Sequence, residues 1–313
     1  MLVTMKEMLA DAKKNHYAIP AFDVSNYEMM KAILETCEEE KSPALLMTLG
    51  VDTQGRNLQL LSSMIKGASE YFRIPVCLHM DHATDIDFIK YGCDNGYSSV
   101  MYDGSTLSTE ENVANTKIAV AEAKKTGASV EAEIGSMGAR EGSATGDTDE
   151  SIYTDPFEAK KFVEETGVDA LACAFGTAHG VYLKAPKLDF PRLEKIKSLV
   201  DVPLVMHGGS GVSVEDYKKV IDLGIRKINY YTYMAKAGGA AVEVSDEAIE
   251  IIEKGLNYGE LSGGAFDITV KPLSDLWDFK NETLPSDAEI TEALKKVNYR
   301  NLVIKNNAIT LKN

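Results

Sequence analysis

The stretch YAIPAFDVSNYEMMKAILETC (residues 17–37) carries two hydrophobic periods in succession. YAIPAF (17–22) is a short apolar run that reads as a strand. Met30, Ile33, Leu34 and Cys37 then fall at i, i+3, i+4 and i+7, the spacing of one helix face. Between them Ser25 and Glu28 stand three apart, the spacing of a capping box that opens a helix. Strand then amphipathic helix is one βα unit, and the fold depends on how often it recurs.

Further strand-like runs are PALLMT (43–48), IPVCLH (74–79), SSVMY (98–102), SVEAEI (129–134), ALACAF (170–175), PLVMH (203–207) and KINYY (227–231), which with the first makes eight. Helical segments lie between them. Several open on a side-chain oxygen with an acid three residues on: Thr84 with Asp87, Ser108 with Glu111, Ser213 with Asp216. Eight alternations within about 255 residues match a parallel (β/α)8 TIM barrel of the α/β class, which takes ~250 residues. An open doubly wound sheet is the rival, but no G-x-G-x-x-G follows the first strand.

Two segments break the rhythm. GSMGAREGSATGDTDESIYTDP (135–156) follows the fifth strand and is too long for a tight turn, so a mobile lid is expected. GLNYGELSGG (255–264) reads as a glycine-punctuated linker into a tail with a helical DAEITEALKKV (287–297). The expected organisation is a barrel over 1–254 and an extension over 255–313, either a solvated addition packed on the barrel or an arm that docks on a neighbouring subunit. A homodimer or homotetramer is the expected assembly.

Composition narrows the partners. With 33 basic against 48 acidic residues the net charge is −15, which opposes nucleic acid and anionic membrane surfaces alike. No apolar stretch approaches the ~20 residues of a membrane span, and MLVTMKEMLADAKK lacks a secretory core, so a cytoplasmic location is expected. The four cysteines show no C-x-x-C spacing and are expected as reduced core thiols.

A barrel enzyme carries its chemistry at the C-terminal ends of its strands. Of the five histidines, His16 precedes the first strand. His79 and His82 end the third, His179 follows the sixth in FGTAHG, and His207 ends the seventh in MHGGSG. Imidazoles converging from three strand ends would make an open three-ligand Zn²⁺ site with room for substrate. Asp81 beside His82 is a candidate general acid/base. Asp103 ends the fourth strand, and Glu131 and Glu133, two apart on the fifth, share a face that points inward. Buried acids need a metal or a partner, so direct ligation and a buried salt-bridge network are both open for them. HGGSG (207–211) leads into the helix VEDYKKVI, and its amides suit a phosphate.

HMDHA, VEAEIGSMGARE, FGTAHGVY, MHGGSG and KINYYT, in that order and spacing, with YAIPAFDVSN at the start, closely resemble the class II, metal-dependent ketose-bisphosphate aldolases, the fructose/tagatose-bisphosphate aldolase family. The resemblance runs over about residues 1–240. It implies a lyase of carbohydrate metabolism, glycolysis included, that converts a phosphorylated ketose to dihydroxyacetone phosphate and an aldehyde. It implies that His82, His179 and His207 bind Zn²⁺, that Asp81 acts on the C4 hydroxyl, and that Glu141 moves the proton at the carbanion carbon. Asp103 and Glu133 match a second or alternative metal position. Gly180, Gly208, Gly209, Ser210, Asn229 and Thr232 match the phosphate-binding set, where a monovalent cation often assists.

Several residues depart from the family pattern. Asp23 stands where the family has asparagine, and Leu183 where it has lysine, with Lys184 one step on. Tyr231 stands where fructose enzymes carry aspartate and tagatose enzymes alanine, and Ala139 and Arg140 replace the usual glycine and glutamate before Glu141. Asp23 and Tyr231 are expected to alter the aldehyde half of the substrate. Two other readings stand beside the aldolase: a metal-dependent hydrolase, which wants a His-x-His that the first strand lacks, and a non-catalytic sugar-phosphate-binding barrel.

Overall fold

Eight parallel strands close into a barrel in chain order: β1 (Ile19–Asp23), β2 (Ala44–Leu49), β3 (Val76–Ala83), β4 (Ser99–Tyr102), β5 (Ser129–Ile134), β6 (Ala170–Cys173), β7 (Leu204–Met206) and β8 (Ile225–Tyr230). β1 pairs with β8, with Ala21 opposite Asn229, so no strand edge is left open. The open-sheet alternative is thereby excluded. This is a computed structural model; it describes residues 1–313 apart from 51–52, 54, 136–152, 180–181, 183–184, 232–241, 244–245, 275, 277–284, 306–307 and 312–313.

The strands are followed in turn by helices α2 (Tyr27–Glu39), α3 (Asn57–Ser69), α4 (Ile86–Asp94), α5 (Thr109–Thr126), α6 (Pro156–Thr166), α7 (Phe190–Leu199) and α8 (Val214–Asp222). Their inner faces meet the outward strand residues in one cluster that includes Leu34, Leu46, Leu78, Met80 and Val100. Ser108 with Glu111 forms the expected capping box, and Ser213 accepts from Asp216 N. Two expected caps shift by one residue. Asn26, not Ser25, caps α2 by accepting from Met29 N, and Asp85, not Thr84, caps α4 by accepting from Asp87 N. In both, the residue in extended backbone with a short side-chain carbonyl or carboxylate reaches the first-turn amides.

One element has no counterpart in the expectations. Helix α1 (Met5–Asn15), held by a Thr4–Glu7 capping box, precedes β1. Its Met5, Met8, Leu9 and Ala12 pack with Ile19, Ala21, Leu45, Met47, Cys77, Ala170, Ala172 and Val205. Ile19, Leu45, Cys77, Ala170 and Val205 stand at the first or second positions of their strands, so α1 closes the N-terminal end of the barrel. Each fully buried Met or Leu there contributes roughly 1.5–3 kcal/mol of burial.

The chain divides into two compact units, Met1–Ala235 and Lys236–Asn313. In the second, helices α9 (Asp246–Leu261), α10 (Lys271–Ser274) and α11 (Asp287–Leu294) accompany an antiparallel sheet of β9 (Val242–Glu243), β10 (Leu302–Lys305) and β11 (Ala308–Leu311) in the order β10-β11-β9. The expected linker is mostly helix, and the expected 254/255 division falls inside α9. Two of its four glycines, Gly255 and Gly259, serve packing, while Gly263 and Gly264 follow the helix at positive φ with open space around them. A Cβ on Gly255 would sit 2.6 Å from Ile268 Cγ2, and one on Gly259 2.9 Å from the Tyr299 ring. Among the described residues no helix is long and apolar enough to cross a membrane. All four cysteines are free and buried, as expected.

Candidate active site

Followed toward the strand C-termini, the barrel interior changes from apolar to charged. Above the layer that α1 closes lie His79, Asp81, Glu131, Glu133, His207 and Lys227, of which the most exposed, Asp81, reaches only 2 %. Buried charge at this density is tolerated only if each group finds partners, and the layer is built of such pairs.

β3 delivers two adjacent side chains by breaking its own alternation. His79 and Asp81 share the inward face, while Met80 packs outward in the helix-facing cluster. His82 would follow Met80 outward. Instead the β3/β4 register shifts between Met80, paired with Val100, and Ala83, paired with Tyr102, and His82 adopts φ +49°. This bulge adds one residue and turns His82 to the mouth, its Nε2 3.8 Å from Asp81 Oδ2. A non-glycine residue at positive φ is strained, and strain of this kind collects at functional sites.

Carboxylates orient the rings. His82 Nδ1 lies 2.8 Å from Asp103 Oδ2, while Asp103 Oδ1 accepts from the Ser105 amide and hydroxyl. Burial works against the His82 cation, yet Asp81 and Asp103 outweigh it and raise the pKa. Those same contacts hold the Asp103 carboxyl well below the usual range despite its burial. His207 Nε2 lies 2.9 Å from Glu131 Oε1, and its Nδ1 lies 3.2 Å from Glu133 Oε2 without hydrogen-bond alignment. Burial again opposes the charge, but Glu131 and Glu133 push the His207 pKa up to about 10. Positive charge is therefore favoured at this ring, whether a proton or a cation supplies it. His179 is the opposite case: burial, then the neighbouring His82 and His207, lower it to about 3, which keeps its lone pairs available.

The rings of His82, His179 and His207 converge, with centroids 4.7–5.7 Å apart. One nitrogen from each lies within 4.8 Å of the others, the gathering expected of three ligands to one ion. His179 Nε2 and His207 Nδ1 are buried with no hydrogen-bond partner, so the donor set fits a metal. His82, Asp103 and Glu133 form a second group of this kind, which includes the two acids expected at a second or alternative metal position. His79 stands apart from the three-histidine set: its Nδ1 is 2.7 Å from Ser99 Oγ, and it groups with Asp81 and Glu131.

Asp81 is surrounded by donors. Asn229 Nδ2 donates to both its oxygens at 3.3 and 3.4 Å, His79 Nε2 is 3.7 Å away and Lys227 Nζ 4.0 Å. Burial would raise its pKa, but His82, His79, Lys227 and His207 bring it well below the usual value. Asn229, expected at the phosphate, thus also holds Asp81.

The β7 loop is tied on both sides. Gly209 N–H donates to Asn229 O, and Tyr231 N–H donates to Ser210 Oγ, whose own hydrogen stays free to donate to a ligand. Tyr182 accepts from Ala178 N at 2.7 Å and donates to Gly208 O at 2.9 Å, joining the loops that carry His179 and His207. Gly208 has φ +63°, and a Cβ there would lie 2.3 Å from Ala178 O, so only glycine allows this approach. Asp23 is buried at the end of β1 and Tyr231 follows β8, half-buried. Glu141, Gly180 and Thr232 lie outside the described residues, as do Ala139, Arg140, Leu183 and Lys184.

Lys227, Ser99 and Tyr182 escaped the sequence reading. Lys227 had a signal, since it stands two before Asn229 and so shares its inward face, but a lysine in a strand ordinarily reads as solvent-facing. Ser99 had none, because its partner His79 lies twenty residues away, and for Tyr182 the link to Gly208 is likewise distant although Ala178 is only four residues before it.

A closed (β/α)8 barrel with polar chemistry gathered at the strand C-termini defines a TIM-barrel enzyme with a candidate metal centre. Residues 3–271 match the family model described as fructose-bisphosphate aldolase class-II. The YdjI aldolase from Escherichia coli K12 is 33 % identical with a TM-score of 0.68, over 83 % of this chain and 88 % of that one. A Coccidioides immitis protein provisionally described as a fructose-1,6-biphosphate aldolase is 34 % identical with a TM-score of 0.67, over 74 % and 82 %. The fructose-bisphosphate aldolase of Campylobacter jejuni, 21 % identical over 94 % and 89 % with a TM-score of 0.65, shares the fold. The chain belongs to the class II fructose-bisphosphate aldolase family and is a lyase, a metal-dependent aldolase.

Proposed function

We propose that the enzyme cleaves a phosphorylated ketose, a ketose 1,6-bisphosphate such as fructose or tagatose 1,6-bisphosphate or a related ketose 1-phosphate, to dihydroxyacetone phosphate and an aldehyde. Zn²⁺ is the proposed metal, held by His82, His179 and His207. The observation that carries this reading is the convergence of the three rings, with two buried nitrogens otherwise unpartnered.

A bound Zn²⁺ would supply Lewis-acid stabilisation of the negative charge that develops on the donor half when the C3–C4 bond breaks. Asp81, ionised and held by Asn229, takes the C4 hydroxyl proton. Glu141 is assigned the proton at the carbanion carbon. Gly208, Gly209 and Ser210 with Asn229, Gly180 and Thr232 are assigned the donor phosphate, with a monovalent cation beside it. Asp103 and Glu133 are assigned a second metal position.

Asp23 and Tyr231 are assigned to the aldehyde half, as an acid and a bulky ring where family members differ. Turnover of a panel of ketose 1-phosphates and 1,6-bisphosphates, read by coupled detection of dihydroxyacetone phosphate, tests the proposal. Chelator-sensitive cleavage of one panel member is expected, with fructose and tagatose 1,6-bisphosphate slow. Family-typical rates on those two would remove the specificity assignment, and no cleavage across the panel would remove the substrate class. A cytoplasmic homodimer or homotetramer completes the proposal.

A further inference from the structure

Lys227 is completely buried in the barrel, where a cation is costly, and the reaction as proposed needs no lysine. Its Nζ forms an ion pair 2.9 Å from Glu131 Oε2, without hydrogen-bond alignment, while the other oxygen of that carboxylate, Oε1, is hydrogen-bonded to His207 Nε2 at 2.9 Å. One carboxylate thus bridges a lysine on β8 and a histidine at the end of β7. The remaining nitrogen of the ring, Nδ1, has no aligned hydrogen bond and lies 3.2 Å from Glu133 Oε2, so a positive charge there, proton or metal, is favoured.

We propose that Lys227 and Glu131 are positioning residues that fix which nitrogen of His207 faces the metal. This rests on the reading of His207 as a metal ligand. The ion pair with Lys227 holds Glu131 as an anion, and a carboxylate Oε1 can only accept. A metal ion in place of the second proton would leave His207 its hydrogen on Nε2 and meet the Nδ1 lone pair. Carboxylates that accept from the distal nitrogen of a ligating histidine commonly fix tautomer and ring orientation, and their loss weakens metal binding by about 10–100-fold.

The lysine makes the arrangement directional. In Glu131→Gln the amide NH₂ cannot face the Lys227 ammonium, so the amide carbonyl turns to Lys227 and the NH₂ turns to His207. Nε2 must then accept, the hydrogen moves to Nδ1, and the ligating lone pair is lost. Removing the lysine as well, in Glu131→Gln/Lys227→Met, frees the amide to turn its carbonyl back to Nε2. A second mutation that deletes a buried charge should therefore restore metal binding.

The full-length protein, stripped of metal and titrated with Zn²⁺ or Co²⁺ against a chromophoric chelator, tests this without any assay of cleavage. Glu131→Gln should bind about 100-fold more weakly than the wild type, and the double variant at least tenfold more tightly than Glu131→Gln, with a Co²⁺ spectrum like the wild type's. Wild-type affinity in Glu131→Gln overturns the role of Glu131, and a double variant no better than the single overturns that of Lys227. Should Glu131→Gln not fold, Glu131→Asp keeps the charge and shortens the reach. It should bind at least tenfold more weakly than the wild type, and the double variant should bind more tightly than it; failure of either overturns the relay. Wild-type affinity in His207→Ala overturns both the relay and the ligand assignment, whereas normal metal binding with no cleavage of any ketose phosphate overturns only the proposed substrate.

Discussion

Asp103 Oδ2 and His82 Nδ1 lie 2.8 Å apart, joining the ends of β4 and β3 across the mouth of the barrel. The contact directs the His82 Nε2 edge toward Asp81 and steadies a ring carried on strained backbone. Asp103→Ala is expected to weaken metal binding by about 10–100-fold. Competition titration against a chelator measures it, and an unchanged affinity would leave Asp103 with no part in orienting His82.

Asp81 and His207 should separate proton transfer from metal retention. Asp81→Ala is expected to keep its metal and lose about 10²–10⁴-fold in cleavage rate, the usual worth of a positioned acid/base. His207→Ala should lose metal occupancy. Metal content by elemental analysis, set beside turnover, distinguishes the two, and equal metal loss in both would refute the division of roles.

Leu9 is fully buried in α1, in the apolar layer below the charged one. Leu9→Ala is expected to cost about 2–5 kcal/mol in urea unfolding while metal affinity stays unchanged. A parallel drop in affinity would show that closure of the barrel floor reaches the site.

Asp267 accepts from the Thr269 amide and hydroxyl and from the Tyr299 amide in the C-terminal unit. Burial, the largest single cause, raises its pKa, but these hydrogen bonds together outweigh it and lower the folded value. A lowered carboxyl stabilises fully above its unfolded value of about 4, and the contribution is lost as pH falls through the folded value beneath it. The amide protection factors of α9, which remove the intrinsic pH dependence of exchange, should fall more steeply between about pH 6 and pH 3 in the wild type than in Asp267→Asn. Identical pH profiles would refute the linkage.

The Ser108 cap, the eight strands and the histidines at the strand ends show how much is local. Side-chain periodicity and capping act within a few residues, so IPVCLH or SVEAEI states in sequence that it is a strand, and eight such strands leave few ways to bury their faces. α1 carries the same local signals, Thr4 and Glu7 at capping-box spacing and Met5, Met8, Leu9 and Ala12 at i, i+3, i+4 and i+7; what only the closed barrel reveals is the floor that this face covers. Gly255 and Gly259 of GLNYGELSGG misled for a related reason, since a glycine that admits Ile268 or Tyr299 looks in sequence like one that bends a linker.

By itself the sequence determined the (β/α)8 order and the chemical identities of His82, His179, His207, Asp81, Glu131 and Glu133. Strict alternation would have placed His82 outside with Met80; only the bulge against β4 turned it inward. Likewise Lys227 became a partner of Glu131, and Glu131 of His207, only when β8, β5 and β7 met across the closed barrel. Local preferences fix which residues a strand presents. Strand register and the low-dielectric interior decide which of them must pair, because a buried charge takes whatever partner the closed fold puts within reach.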